Sequence, residues 1–310
     1  MTLRDFHLVV ASIVAACAGA MAQEPRIEQA RQFQSARAGA EDLSNAFAPT
    51  TLELSTGEDL ESFGIQQILR DQERLRYFRI LAEVSAFATD NVALSRVDER
   101  RDSFLVATTF VEYRRPIAEG LQLDAALRFS AFRYNRFSQL DFNSIDAGIG
   151  LGYHTSKLGG LDFGLRYNYN ELISAPSGDS FFTNHTITGA VQKAFEFSQA
   201  HYAYVGASAQ AGFADPEDAE RTEFAGFAGY HLQATRSLEA DLLYRYGYYL
   251  YSEGGREDHN QTLSVALRYR FAEWISVFAS GFLAWNRSNQ RAFDYDAANG
   301  GGGLTVSVQF

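Results

Sequence analysis

Long stretches of alternating apolar and polar residues are the feature that most constrains the fold of this sequence. In LDFGLRYNYN (161–170), Leu161 and Phe163 alternate with Asp162 and Gly164, as in a β-strand, whose successive side chains point to opposite faces. Twelve such segments follow one another, at residues 77–91, 103–115, 121–135, 143–154, 160–170, 182–196, 201–213, 222–233, 237–251, 260–271, 274–286 and 301–310. They average about 13 residues, whereas ordinary strands have about 5 or 6 and tilted membrane-spanning strands about 9 to 11. The lengths therefore favour strands that cross a membrane.

The connections between these segments alternate between long and short. With the boundaries above, every odd-numbered connection is longer than every even-numbered one. This alternation is typical of an antiparallel meander in which one rim carries long loops and the other carries tight turns. We therefore predict an all-β fold, a transmembrane antiparallel up-and-down β-barrel of about twelve strands over residues 76–310, with a short N-terminal extension.

The first 22 residues resemble an export signal. Arg4 supplies a positive start, an apolar run of 8–22 follows, and Ala20-Met21-Ala22 offers a cleavage site before Gln23. The run is too short to cross a bilayer as a helix. In a second interpretation, the sequence before Cys17 resembles a bacterial lipobox, which would lipidate that residue. Cys17 is the one cysteine of the chain, so cleavage after Ala22 would leave a mature protein without a thiol.

Residues 23–75 have a different character from the barrel segments. Residues 23–50 are rich in Ala, Gln, Glu and Arg and lack a sustained apolar face, which predicts an exported periplasmic extension with one short helix at most. Residues 58–75 carry apolar side chains at roughly helical spacing. They predict either a small helix at one mouth of the barrel or inside it, or a weakly ordered linker.

The C-terminal segment LTVSVQF (304–310) also alternates, and the chain ends on an aromatic residue. Val306, Val308 and Phe310 share one face with Leu304. The segment resembles the last strand of Gram-negative outer-membrane β-barrel proteins, although Thr305 stands where that family often has glycine. The resemblance implies that the barrel-assembly machinery reads Phe310, and that the protein lies in the outer membrane of a Gram-negative bacterium, against lipid and lipopolysaccharide.

The charge of the chain excludes one class of partner. The formal net charge is -11, so a nucleic-acid backbone would be repelled. In a barrel, the apolar face of each strand meets lipid and the polar face lines the lumen. The alternative is a soluble sandwich with the apolar face in its core.

Charged residues recur on the polar faces of the strands. Three strands each carry a carboxylate followed four residues later by an arginine, and further charges face the same way. The set comprises Asp124, Arg128, Asp162, Arg166, Asp241, Arg245, Glu83, Glu112 and Arg268, with Arg79, Arg114, Asp146, Glu239 and Arg270. We call it the luminal charge ladder. It predicts either a hydrogen-bonded network that stiffens a narrow lumen or the lining of a path for a polar solute.

Sequence signals for catalysis or metal binding are weak. Outer-membrane lipases use a serine and a histidine near the outer rim, and the nearest candidates here are His185 and His154. Neither has a matching serine or asparagine, so a pore or rim histidine is favoured. No nucleotide, zinc or calcium motif occurs in the sequence, and no metal or other cofactor is predicted.

These observations lead to three hypotheses for function. A passive channel or binding protein for small polar solutes is favoured by the strand number and the polar lumen. The first alternative is a non-conducting structural or surface-interaction barrel, plugged by the charge ladder or by the N-terminal segment. The second alternative is a lipase-like enzyme.

Overall fold

The computed structural model describes residues 24–33, 77–198 and 200–310. Twelve strands form one closed barrel in which each strand pairs with its sequence neighbours and the last pairs with the first. The strands are β1 (Phe78–Thr89), β2 (Asp102–Ala118), β3 (Leu121–Tyr134), β4 (Phe142–Thr155), β5 (Leu161–Ser174), β6 (Ser180–Ser198), β7 (His201–Asp215), β8 (Arg221–Gln233), β9 (Leu238–Tyr251), β10 (Glu257–Ala272), β11 (Ile275–Ser288) and β12 (Tyr295–Gln309). The predicted all-β up-and-down barrel of twelve strands is confirmed.

The barrel closes between its two terminal strands. β1 and β12 pair in antiparallel register, with Ile80 opposite Val308. Phe310, just beyond β12, exchanges two backbone hydrogen bonds of 3.0 Å with Phe78, and the two rings stack. Closure gives the backbone groups of both strands partners, which hydrocarbon could not supply.

The strands run further into the predicted loops than the sequence pattern indicated. The connection between β1 and β2 is still long, at residues 90–101, but that between β5 and β6 shrinks to 175–179. The turn between β4 and β5, at 156–160, has the same length as the connection between β5 and β6. The strict length alternation is therefore weaker than predicted, because polar residues at the outer rim still pair as strand backbone.

The two faces of the wall differ as an outer-membrane barrel requires. On β5, the side chain of Leu165 is 56% exposed and faces outward, whereas Asp162 is 8% exposed and faces the lumen. Apolar side chains are exposed elsewhere on the wall as well, for example those of Val84, Leu127 and Val265. This arrangement excludes the soluble sandwich, since the apolar face is outside and the polar face is enclosed.

A helix, α1 (residues 24–33), lies inside the barrel at the rim of the longer connections. Pro25 stands in its first turn, where a missing backbone N–H costs nothing. Ile27, Ala30 and Phe33 are buried on one side of it, so the segment has a short apolar face that the sequence analysis did not identify. None of the helices in the described parts of the chain is long and apolar enough to cross a membrane.

The structure bears on only part of the predicted N-terminal organisation. The export signal, with Cys17, and the possible helix in 58–75 lie outside the described residues. The periplasmic placement of 23–75 stays a prediction for its remaining residues, whereas helix α1 lies in the mouth of the barrel.

Candidate functional site in the lumen

Helix α1 is seated on an aromatic cluster of the wall. The ring of Phe33 lies 5.0 Å from that of Phe87 on β1 and 5.3 Å from that of Phe132 on β3, both edge to face. Phe104 on β2 completes the cluster. These rings are enclosed between helix and wall, so they hold the helix by apolar burial and by favourable edge-to-face geometry.

Two carboxylates fix the opposite side of the helix. Arg221, at the start of β8, donates a 3.0 Å hydrogen bond to Glu28, and the Tyr295 hydroxyl donates to the other oxygen of the same carboxylate at 3.2 Å. Glu24 pairs with Arg256, which follows β9. Burial alone would raise the pKa of Glu28, but the surrounding arginines outweigh it and hold the pKa below its usual value. The helix is therefore docked through charge-assisted contacts.

A cavity of about 370 Å³ lies in the lumen and is lined by helix α1 and by residues from β2 to β8. Arg31 contributes from the helix, and Asn184 and Thr186 contribute from β6. Its charged wall residues are Glu112, Arg114, Asp124, Arg128, Asp146, Arg166, Arg221 and Glu223. Six of these, Glu112, Arg114, Asp124, Arg128, Asp146 and Arg166, belong to the predicted charge ladder, so the structure brings much of the ladder to one site.

The central rung of the ladder spans three strands. Arg166 on β5 forms an ion pair with Asp124 on β3, across the intervening β4. The residue between them in register is Gly150, and a Cβ there would come within 2.5 Å of the Asp124 carboxylate. The missing side chain therefore makes room for the pair. Arg166 also donates to Asn168 at 3.0 Å.

Other ladder residues find partners that the sequence analysis did not predict. The side chains of Asp162 and His154 meet at the turn rim, with 2.7 Å between Oδ1 and Nδ1. Asp241 and His231 repeat this arrangement on β9 and β8, again at 2.7 Å. Arg245 forms an ion pair with Glu223 on β8.

The sequence did carry a signal for these histidine pairs. Each histidine closes one strand, and its aspartate opens the next strand across a short turn, so the two residues face each other in register. A search for such pairs across predicted tight turns would have found both.

The remaining predicted ladder residues also lie on the luminal face. Glu83 is buried beside the closure of the barrel and accepts a 3.2 Å hydrogen bond from Thr305. Glu112 pairs with Arg114 at 2.6 Å. The Arg128 guanidinium lies 4.9 Å from the centre of the Phe110 ring, and Arg268 stands opposite Glu239 in register. Their placement agrees with the sequence pattern, while their role stays a prediction.

His185, considered for catalysis or for the pore, lies on the outer face of the wall. Its Nδ1 is 2.7 Å from the Tyr167 hydroxyl, and its ring packs near Tyr169. His259 has the same relation to Tyr246 and Tyr248. The pore position is therefore wrong for His185, because its side chain is exposed on the outer face of β6. Tyrosine and histidine here belong to the exterior belt.

The C-terminal residues lie where the resemblance implies. Val308 and Phe310 are exposed on the outer face, and Val306 shares that face. Their reading by the assembly machinery stays a prediction. No group of histidine, cysteine and acidic residues able to hold a metal occurs within the described ranges.

Comparisons with known proteins agree with the fold. No family model matches the chain, and no curated protein matches it. Among solved structures, an outer membrane channel from Pseudomonas putida F1 has a TM-score of 0.54 at 9% identity, covering 76% of this chain and 96% of that one. The KdgM porin in complex with disordered oligogalacturonate has 0.42 at 8%, covering 74% and 99%. The translocator domain of the autotransporter NalP from Neisseria meningitidis has 0.42 at 12%, covering 76% and 90%.

At such identities a likeness shows the fold alone, since one fold hosts many functions. The chain has the fold of the Gram-negative outer-membrane β-barrels. The predicted location in the outer membrane agrees with this fold and with the apolar exterior.

Proposed function

We propose that this protein is an outer-membrane channel that binds small polar solutes in its lumen and lets them pass. The observation that carries the proposal is the cavity of about 370 Å³ beneath helix α1, lined by charged and amide side chains. A purely structural barrel gains nothing from such a space, because filling the lumen with apolar side chains costs less free energy than enclosing charged groups there. Charged groups around water suit the transient binding of a polar solute.

The docked helix supports a second candidate. Helix α1 occupies the mouth through two carboxylate contacts and an aromatic seat, so a non-conducting barrel with a surface or envelope role is the rival function. The two candidates differ in one respect. A channel has to pass solute either around the helix or after its release, whereas the rival never does.

Planar-bilayer recording of the refolded full chain and of a variant lacking 24–33 separates them. A channel gives conductance steps in the full chain and larger or more frequent steps in the deletion variant. Steps in the deletion variant only would favour the plugged barrel. The absence of both steps and solute flux from both proteins would refute the channel. Slower electrophoretic migration after heating, as folded barrels show, checks that each variant is folded.

A further inference from the structure

Arg31 is an unusual charge within the barrel. Its side chain donates a 2.9 Å hydrogen bond to the Ala219 carbonyl and lies 5.1 Å from the centre of the Phe182 ring. Among the described residues no carboxylate lies within ion-pair distance of it; Glu28 and Glu223, which attract it from further away, both pair with Arg221. Burial, together with repulsion from Arg221, lowers the pKa of Arg31 to about 10, so the group still carries its charge at neutral pH. An enclosed charge of this kind ordinarily has an anionic partner.

Three buried side-chain atoms of the same cavity lining also lack partners, and one of them is Nε of Arg114 on β2. Arg221 is 5% exposed and Asn184 is 8% exposed. Within the described chain, Nε of Arg221 donates no hydrogen bond and Oδ1 of Asn184 accepts none. Buried polar atoms are nearly always satisfied, so such exceptions require an explanation. The cavity therefore offers an unpaired cation, two unused N–H donors and an unused oxygen acceptor.

We propose that this cavity binds a small 2-hydroxycarboxylate, whose carboxylate accepts hydrogen bonds from Arg31 and Arg221 and whose hydroxyl donates to Asn184. The proposal rests on the channel function and names its solute class. A cavity of about 370 Å³ has the volume of roughly a dozen waters at about 30 Å³ each, which accommodates a three- or four-carbon acid with some water. An ammonium in place of the hydroxyl would lie close to two guanidinium groups and be repelled.

Because Arg31 belongs to the helix and the other two residues belong to the wall, the solute bridges plug and barrel. Calorimetric titration of the refolded full chain in detergent micelles tests this with three matched probes: lactate, propionate and alanine. Lactate should bind about fivefold more tightly than propionate, the effect of one hydrogen bond. Alanine should bind no better than propionate. Asn184→Leu should remove the preference for lactate and leave propionate binding unchanged.

Arg31→Gln should weaken lactate binding about tenfold or more, as the loss of a charged hydrogen bond does. Arg26→Gln is its matched control, because Arg26 lies on the same helix, donates to the Asp141 carbonyl at 3.1 Å and lies 4.0 Å from the centre of the Phe181 ring. It does not line the cavity, so lactate binding should be unchanged.

Equal affinities for lactate and propionate, or equal effects of the two arginine variants, would overturn the inference. Inorganic phosphate is a fourth probe, and tighter binding of phosphate than of lactate would assign the site to a different anion. Conductance without lactate binding would refute the solute assignment and leave the channel proposal intact. Lactate binding without conductance or flux would remove the channel and keep the site.

Discussion

Gly150→Ala tests whether the central rung of the charge ladder stabilises the barrel. The added Cβ would come within 2.5 Å of Oδ2 and 3.2 Å of the carboxyl carbon of Asp124, so this short side chain has to move by roughly 1 Å to reach ordinary contact. Such a shift breaks its ion pair with Arg166. The pair is enclosed but wet, with side-chain exposures of 31% for Arg166 and 13% for Asp124. We therefore expect a loss of about 1–2 kcal/mol, toward the low end for charged hydrogen bonds.

The assay is urea unfolding in detergent micelles, followed by tryptophan fluorescence. Glycine to alanine in a strand should by itself stabilise by roughly 0.5–1 kcal/mol, so a matched control is needed. Gly226→Ala on β8 supplies it, because a Cβ there meets nothing within 4 Å. Gly150→Ala should be less stable than this control, and the difference should vanish when Asp124→Ala, which removes the carboxylate and the clash together, is present in both. Equal stability of the two alanine variants, or an unchanged difference in the Asp124→Ala background, would refute the reasoning.

Two further predictions concern the plug and the assembly signal. Because the pKa of Glu28 is held below its usual value by arginines, its contribution to helix docking is present above the ordinary pKa of a glutamate and is lost as the pH falls through the lowered value. Single-channel conductance should therefore rise in that acidic range, and Glu28→Gln should give the same rise at pH 7. An unmodified protein whose conductance is independent of pH, or a Glu28→Gln variant with unchanged conductance at pH 7, would contradict this. Deleting Phe310 removes the ring stacked on Phe78 and two backbone hydrogen bonds, so the fraction of folded, heat-modifiable barrel in the outer membrane should fall several-fold; Phe310→Tyr should restore it, and unchanged assembly of the deletion variant would exclude a role for this residue.

The sequence by itself determined the barrel fold and which face of its wall contacts lipid. Alternation is local, since it follows from the direction of successive side chains along one strand. The alternation therefore places Leu165 and Asp162 on opposite faces of β5 without any knowledge of strand pairing. The length of the strands then identifies the apolar face as the one that contacts lipid. The strand ends were predicted less accurately. Polar residues at the rim can belong either to a strand or to a loop, and only their hydrogen-bonding partners decide between the two.

The arrangement of the lumen required the tertiary structure. Asp124 and Arg166 belong to strands separated by β4, and their pairing depends on register and on the missing side chain of Gly150. Helix α1 shows the same limit, because Ile27, Ala30 and Phe33 make too short an apolar face to be recognised in isolation. The face suffices only because the barrel surrounds it, so burial that the helix could not achieve alone is supplied by residues distant in sequence.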